Sequence, residues 1–144
     1  MRFILEASYD RPVVELDDIY RGCSALIDTG ALIPIWTKSE LLFLEIFKDA
    51  ELIELNRKFK GFGNGAYGNL YKINFKLGEF LYPKMPVIVC EDEQIPGMFL
   101  FSATMFSKMN YTIMNSTKEL IIDPIDNQKC FNIVIGDNVL MQFG

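Results

Sequence analysis

The run Gly61-Phe62-Gly63-Asn64-Gly65-Ala66-Tyr67-Gly68 commits the middle of this chain to a hairpin. Asn-Gly is the dipeptide that most readily takes positive φ at both central positions of a tight turn, and that geometry matches the twist of two antiparallel strands. Residues 52 to 60 and 69 to 77 form the two arms, with Leu70, Ile73, Phe75 and Leu77 supplying the apolar side of the second. The further glycines at 61, 63 and 68 leave the tip lightly packed.

Short apolar segments continue on both sides of the hairpin. Phe3 to Leu5, Val13 to Leu16 and Ala25 to Ile27 are separated by Asp10-Arg11-Pro12 and Arg21-Gly22, the spacing of an all-β barrel or sandwich. Leu81 to Cys90, punctuated by Pro83 and Pro86, reads as a strand pair, and Tyr111 to Met114 and Glu119 to Ile122 as further strands. Phe131 to Ile135 and Val139 to Phe143, joined through Gly136-Asp137-Asn138, form a candidate terminal hairpin. Two short helices are expected. Thr37-Lys38-Ser39-Glu40 is a capping box opening an apolar helix, with Leu41 and Leu44 on one face and Phe43, Ile46, Phe47 and Ala50 on another. Ser102 to Met109 suits the second. The chain shows no repeat, linker or low-complexity stretch, and its 144 residues suit one domain spanning 1–144 with a core of its own.

The composition narrows the chemistry. There is no histidine, which removes Ser-His-Asp and Cys-His catalysis and histidine metal sites together. Proton transfer near neutral pH then falls to carboxylates, tyrosine, or a shifted lysine or cysteine. Half the residues are hydrophobic and 13% aromatic, so the chain is globular, with a net charge of −5. Its one basic cluster, Arg57, Lys58 and Lys60 around Phe59, reads as a solvated strand edge and not as a nucleic-acid site. The apolar N-terminal stretch is too short for a signal peptide and is broken by Glu6, and no run is long enough to span a membrane. Cys23, Cys90 and Cys130 are odd in number and widely spaced, and read as reduced, mostly buried thiols of a cytoplasmic protein with neither a disulfide framework nor a zinc site.

The segment that carries chemistry is Ala25-Leu26-Ile27-Asp28-Thr29-Gly30-Ala31. A buried apolar strand delivers a carboxylate into a tight turn, where a fixed acid can act as a general acid or base. The segment resembles the catalytic motif of retropepsin-type aspartic proteases. Two further landmarks support the resemblance, with Gly61 to Gly68 fitting the glycine-rich flap. Met98-Phe99-Leu100-Phe101-Ser102-Ala103-Thr104-Met105-Phe106 fits the apolar pair before a short helix, although Ser102 stands where the family usually has glycine. The flap centre Gly65 lies 37 residues after Asp28 (65 − 28) and Ser102 lies 37 beyond it (102 − 65). Ile133-Val134-Ile135-Gly136-Asp137-Asn138 carries the glycine, but it lies 71 residues past Gly65 (136 − 65) and leaves too little chain to follow it.

The resemblance implies an all-β, retropepsin-like closed barrel with a flap hairpin, acting on peptide or protein substrates without cofactor or metal. Asp28, Thr29 and Gly30 would be the catalytic turn. Ala31, Gly63, Asn64, Gly65, Ala66, Tyr67 and Ser102 would meet substrate. Such chemistry needs two carboxylates sharing a proton, and a chain with a single Asp-Thr-Gly supplies them only as a homodimer. Leu32, Ile33, Pro34 and Trp36, directly after the turn, would pack beneath it or line an apolar subsite. Two other readings stay open from sequence: a module of the same fold that binds peptides without cutting them, and a small β-barrel interaction domain in which Asp28 merely ends a strand.

Overall fold

The computed structural model describes residues 1–5, 12–16, 23–28, 30–37, 48–59, 66–90 and 99–133, with residues 57–59 and 66–67 described in backbone alone. Its elements are almost all strands: β1 (Arg2–Ile4), β2 (Val13–Glu15), β3 (Ser24–Asp28), β4 (Ile35–Thr37), β5 (Glu51–Phe59), β6 (Ala66–Leu77), β7 (Phe80–Cys90), β8 (Phe99–Ser102), β9 (Met109–Met114) and β10 (Glu119–Pro124). A single turn of 3-10 helix, Ala103–Phe106, follows β8, shorter than the helix expected from Ser102 to Met109. The capped helix expected after Thr37, the flap tip and the terminal hairpin beyond Ile133 lie outside the described residues.

The strands form two sheets. One has three strands in the order β1-β10-β9, and the other has seven in the order β2-β3-β8-β4-β7-β6-β5. A lone bridge between Leu5 and Val14 stitches them at a corner. The closed barrel expected from sequence is therefore corrected, among the described residues, to two packed sheets with open edges at β5 and β9. The reason lies in β5. Glu51 to Asn56 are exposed along both faces, so this strand projects from the body as the outer arm of a ribbon and does not curl back to meet β9.

Alternation along the strands divides the core. Ala25 and Ile27 of β3, Trp36 of β4, Ile73, Phe75 and Leu77 of β6, and Phe99 and Phe101 of β8 face the three-stranded sheet. Ile35, Leu70, Ile88, Cys90 and Leu100 face the opposite way, with Ala31 and Ile33. Strands β4 and β8 and the second half of β7, Met85 to Cys90, are thus buried on both faces, in keeping with their largely apolar sequences. Phe75 is the hub of the larger cluster. Its ring lies 4.9 Å from Trp36, 5.7 Å from Phe101 and 6.4 Å from Tyr82 and Phe99, and the contacts with Trp36, Phe99 and Phe101 are edge-on, which suits the aromatic quadrupole. Trp36, Ile33 and Pro34 are buried and Leu32 is exposed, so this segment is mainly core. Of the cysteines, Cys23 and Cys90 are buried and Cys130 is exposed, in keeping with mostly buried free thiols.

The two prolines of β7 do not split it. Phe80–Cys90 is one strand of 11 residues. Ile73 pairs with Met85 and Phe75 with Tyr82, so two steps on β6 oppose three on β7. The extra residue is a bulge, with Lys84 at φ 48° and its amide donating to the Asn74 side chain at 2.9 Å. The bulge reverses the alternation: Phe80 and Tyr82 face the core on even numbers, Met85, Val87 and Val89 on odd ones. At the other end of β6, Gly78 at φ 63° lets Leu77 pair with Phe80 across a two-residue turn.

Gly68 opposes Cys90 where the ribbon leaves the body. A Cβ there would lie 2.5 Å from Ile88 Cγ2 and 3.0 Å from the Val89 carbonyl oxygen, and neither a buried β-branched side chain nor a ladder backbone yields cheaply. Gly68→Ala is expected to destabilise the fold by about 1–3 kcal/mol through overpacking, and Phe75→Ala by about 3–5 kcal/mol through the cavity left at the aromatic hub. Denaturant midpoints compared with wild type check both.

Candidate active site

Strand β3 enters the seven-stranded sheet between β2 and β8. Its inward residues, Ala25 and Ile27, are buried, and that anchorage carries Asp28 to the strand's end. The pairing with β8 is parallel and places Asp28 directly opposite Ser102. Parallel strands in adjacent positions cannot be joined by a tight turn. Two segments 74 residues apart in sequence (102 − 28) therefore meet here by tertiary folding alone.

The turn after β3 holds the carboxylate. The Gly30 amide donates to Asp28 Oδ1 at 3.0 Å, and the Ala31 amide donates to the Asp28 carbonyl at 3.2 Å. An added Cβ at Gly30 would stand 3.3 Å from Asp28 Oδ1, so the missing side chain leaves room for the carboxylate. Asp28 itself is half-buried and Gly30 exposed, which places the acid at the rim of the sheet. By strand alternation Asp28 shares its face with Leu26, and Ser102 shares its face with Leu100, on the side of the smaller apolar cluster.

Ser102 is fully buried, and its hydroxyl lies 2.7 Å from that of Thr104. Serine in place of glycine is thus accommodated with its polar group paired. Thr104 in turn donates to the Leu32 carbonyl at 2.8 Å, and the Ala103 amide donates to the Ala31 carbonyl at 2.9 Å. The 3-10 turn is held from behind by Tyr82, whose buried hydroxyl donates to the Met105 carbonyl at 2.8 Å.

Of the residues singled out in the sequence, Asp28, Gly30, Ala31 and Ser102 come together. Thr29, Gly63, Asn64 and Gly65 lie outside the described residues. Ala66 and Tyr67 begin β6, paired with Phe59 and Lys58, and β6 is the fourth strand from β3 along the sheet. Thr104 was given no role of its own in the sequence, although a hydroxyl two residues after Ser102 was a visible signal. Thr37, expected to cap a helix, ends β4 with its hydroxyl fully buried and unpaired among the described residues. No group of three or more Cys, Asp or Glu side chains among the described residues is placed to hold a metal ion. No helix among them is long and apolar enough to cross a membrane.

No protein-family model matches the sequence, and no curated protein matches it. Among solved structures, the chain is similar to a retropepsin-like aspartic protease from Rickettsia conorii, with a TM-score of 0.56 and 13% identity over 86% of this chain and 89% of that one. The fold is retropepsin-like. In that retropepsin-like frame, the β3–β8 pairing and the turn at Asp28 bring the candidate acid and Ser102 together.

Burial pushes the Tyr82 phenol above its ordinary value of 10, so in the folded chain it stays a proton donor. The unfolded chain ionises at the ordinary value and the folded one does not. The resulting stability is fully present below pH 10 and is lost as pH rises from there toward the folded value. Tyr82→Phe is expected to cost about 1–2 kcal/mol at neutral pH, by leaving the Met105 carbonyl without its donor. The same variant should lose less further stability than wild type between pH 9 and 11, and denaturation across that range checks both effects.

Proposed function

We propose that this chain is an aspartic endopeptidase of the retropepsin type, a single domain that works as a homodimer. The observation that carries the reading is Asp28, held by the Gly30 amide at the rim of the sheet and set opposite Ser102, in a retropepsin-like fold. Peptide hydrolysis by carboxylates needs one group to draw a proton from water while another donates to the scissile carbonyl. Like charges at such close range do not both ionise cheaply, so the two titrate as a pair. With one Asp-Thr-Gly per chain, the second carboxylate is Asp28 of a twofold-related copy.

In this mechanism the Asp28 pair activates a water molecule against the carbonyl carbon. One carboxyl takes the water proton and the other donates to the carbonyl oxygen; the tetrahedral adduct then collapses as the amine leaves with a proton. The Thr29 and Gly30 segment keeps each carboxylate in place. Gly63 to Tyr67 close over the substrate and pair with its extended backbone, and Ala31 and Ser102 bound the floor of the groove. Leu32, exposed beside the turn, favours apolar side chains near the cut.

The test is cleavage of a mixed peptide library read by mass spectrometry from about pH 4 to 7, the range in which a carboxylate pair titrates. Wild type and Asp28→Asn are run side by side at several protein concentrations. Cuts are expected that vanish in the variant and whose rate rises faster than linearly with protein, since only dimer is active. Peptides retained on the protein with no Asp28-dependent cut at any concentration would replace the protease by a binding module of the same fold.

A further inference from the structure

The rim that carries Asp28 is braced by a relay of two hydroxyls that belongs to this chain's departure from glycine. Thr104 has one hydroxyl proton, and it goes to the Leu32 carbonyl at 2.8 Å, since a carbonyl only accepts. The 2.7 Å contact between Ser102 and Thr104 is then donated by Ser102. The order is Ser102 to Thr104 to Leu32, running from the buried end of β8 to the one exposed residue of the segment 31–36 that follows the Asp28 turn. A parallel backbone bond, Ala103 amide to Ala31 carbonyl at 2.9 Å, lies beside it. Two adjacent carbonyls after the turn, Ala31 and Leu32, are therefore both tied to the 3-10 turn.

We infer that Thr104 is a positioning residue for the Asp28 turn, acting through the Leu32 carbonyl and itself held by Ser102. The inference rests on the reading of Asp28 as the functional acid. The geometry favours a tether over a generic surface contact because the anchor is buried and hydrogen-bonded. Ser102 is fully buried and fixed in the β3–β8 ladder opposite Asp28, and the turn is pinned below by Tyr82 through Met105. The load is the segment that supplies the Gly30 amide to Asp28 Oδ1, so a shift at Leu32 reaches the carboxylate through two peptide units. Loss of the Thr104 hydroxyl also strands the buried Ser102 proton, which makes the bond costlier to lose than a solvent-exposed one.

The test compares wild type with Thr104→Val, which keeps the shape and removes the hydroxyl, and Thr104→Ser, which keeps the hydroxyl. Amide hydrogen exchange is read at Gly30, Ala31 and Ala103, with Ile122, whose amide donates to the Met1 carbonyl, as a remote control. Thr104→Val is expected to speed exchange at the three turn amides about tenfold, as suits one lost hydrogen bond governing a local opening. Ile122 should be unchanged, and Thr104→Ser should restore the turn. Unchanged turn amides, equal acceleration at Ile122, or no recovery in Thr104→Ser would each overturn the inference. Where wild type shows Asp28-dependent cleavage, Thr104→Val should lower kcat with KM nearly unchanged, and an unaltered kcat likewise overturns it. A wild type that cuts nothing sinks the catalytic reading instead, and the exchange comparison still decides the tether.

Discussion

Everything near the candidate site depends on the parallel pairing of β3 with β8. Parallel strands need a long excursion between them, and this chain uses it to lay down β4, the long ribbon and β7 before returning. Strand β4 then fills the slot between β8 and β7, parallel to β7 and antiparallel to β8. The arrangement buries β4, β8 and the second half of β7 on both faces and leaves the end of β3 as the place where a polar side chain reaches the rim. Asp28 sits there because the two inward residues behind it, Ala25 and Ile27, cannot be anywhere else.

That pairing is energetically secured by the aromatic cluster under it. Phe99 and Phe101 of β8 stack on the same side as Trp36 and Phe75, and rings of this size dominate the burial free energy of a small core. The gap among Phe3, Val14, Ile27, Leu77, Phe101, Phe106, Leu120 and Ile122, between the sheets, is too tight to hold a water molecule. The interior is a packed core there. Rigidity below is what a carboxylate that must hold its geometry requires.

Much of the strand content was legible in the sequence, because alternation and turn chemistry are local. The hairpin arms around Asn64-Gly65 appear as β5 and β6, and Phe3 to Leu5, Val13 to Leu16 and Glu119 to Ile122 fall close to β1, β2 and β10. Segment Leu81 to Cys90 was misread as two strands because proline ordinarily interrupts a ladder. Here a bulge at Pro83 and Lys84, closed by the distant Asn74 side chain, absorbs the interruption, and no local rule announces that partner. Cys130 is the exposed one of the three thiols; it lies at a lone bridge to Leu81 beside the surface.

The site divides in the same way. The sequence by itself determined that a carboxylate would end an apolar strand in a tight turn, since Ala25 to Gly30 encodes strand, acid and turn within six residues. It also pointed to a short helical turn after the apolar run Phe99 to Phe101, although the structure keeps Ser102 in the strand and starts the turn at Ala103. Only the tertiary structure decided that these two strands lie side by side with Asp28 opposite Ser102, and that Thr104 reaches back to Leu32. Local propensity speaks through neighbours in sequence, whereas this pairing spans 74 residues (102 − 28) and is chosen by which faces can be buried together.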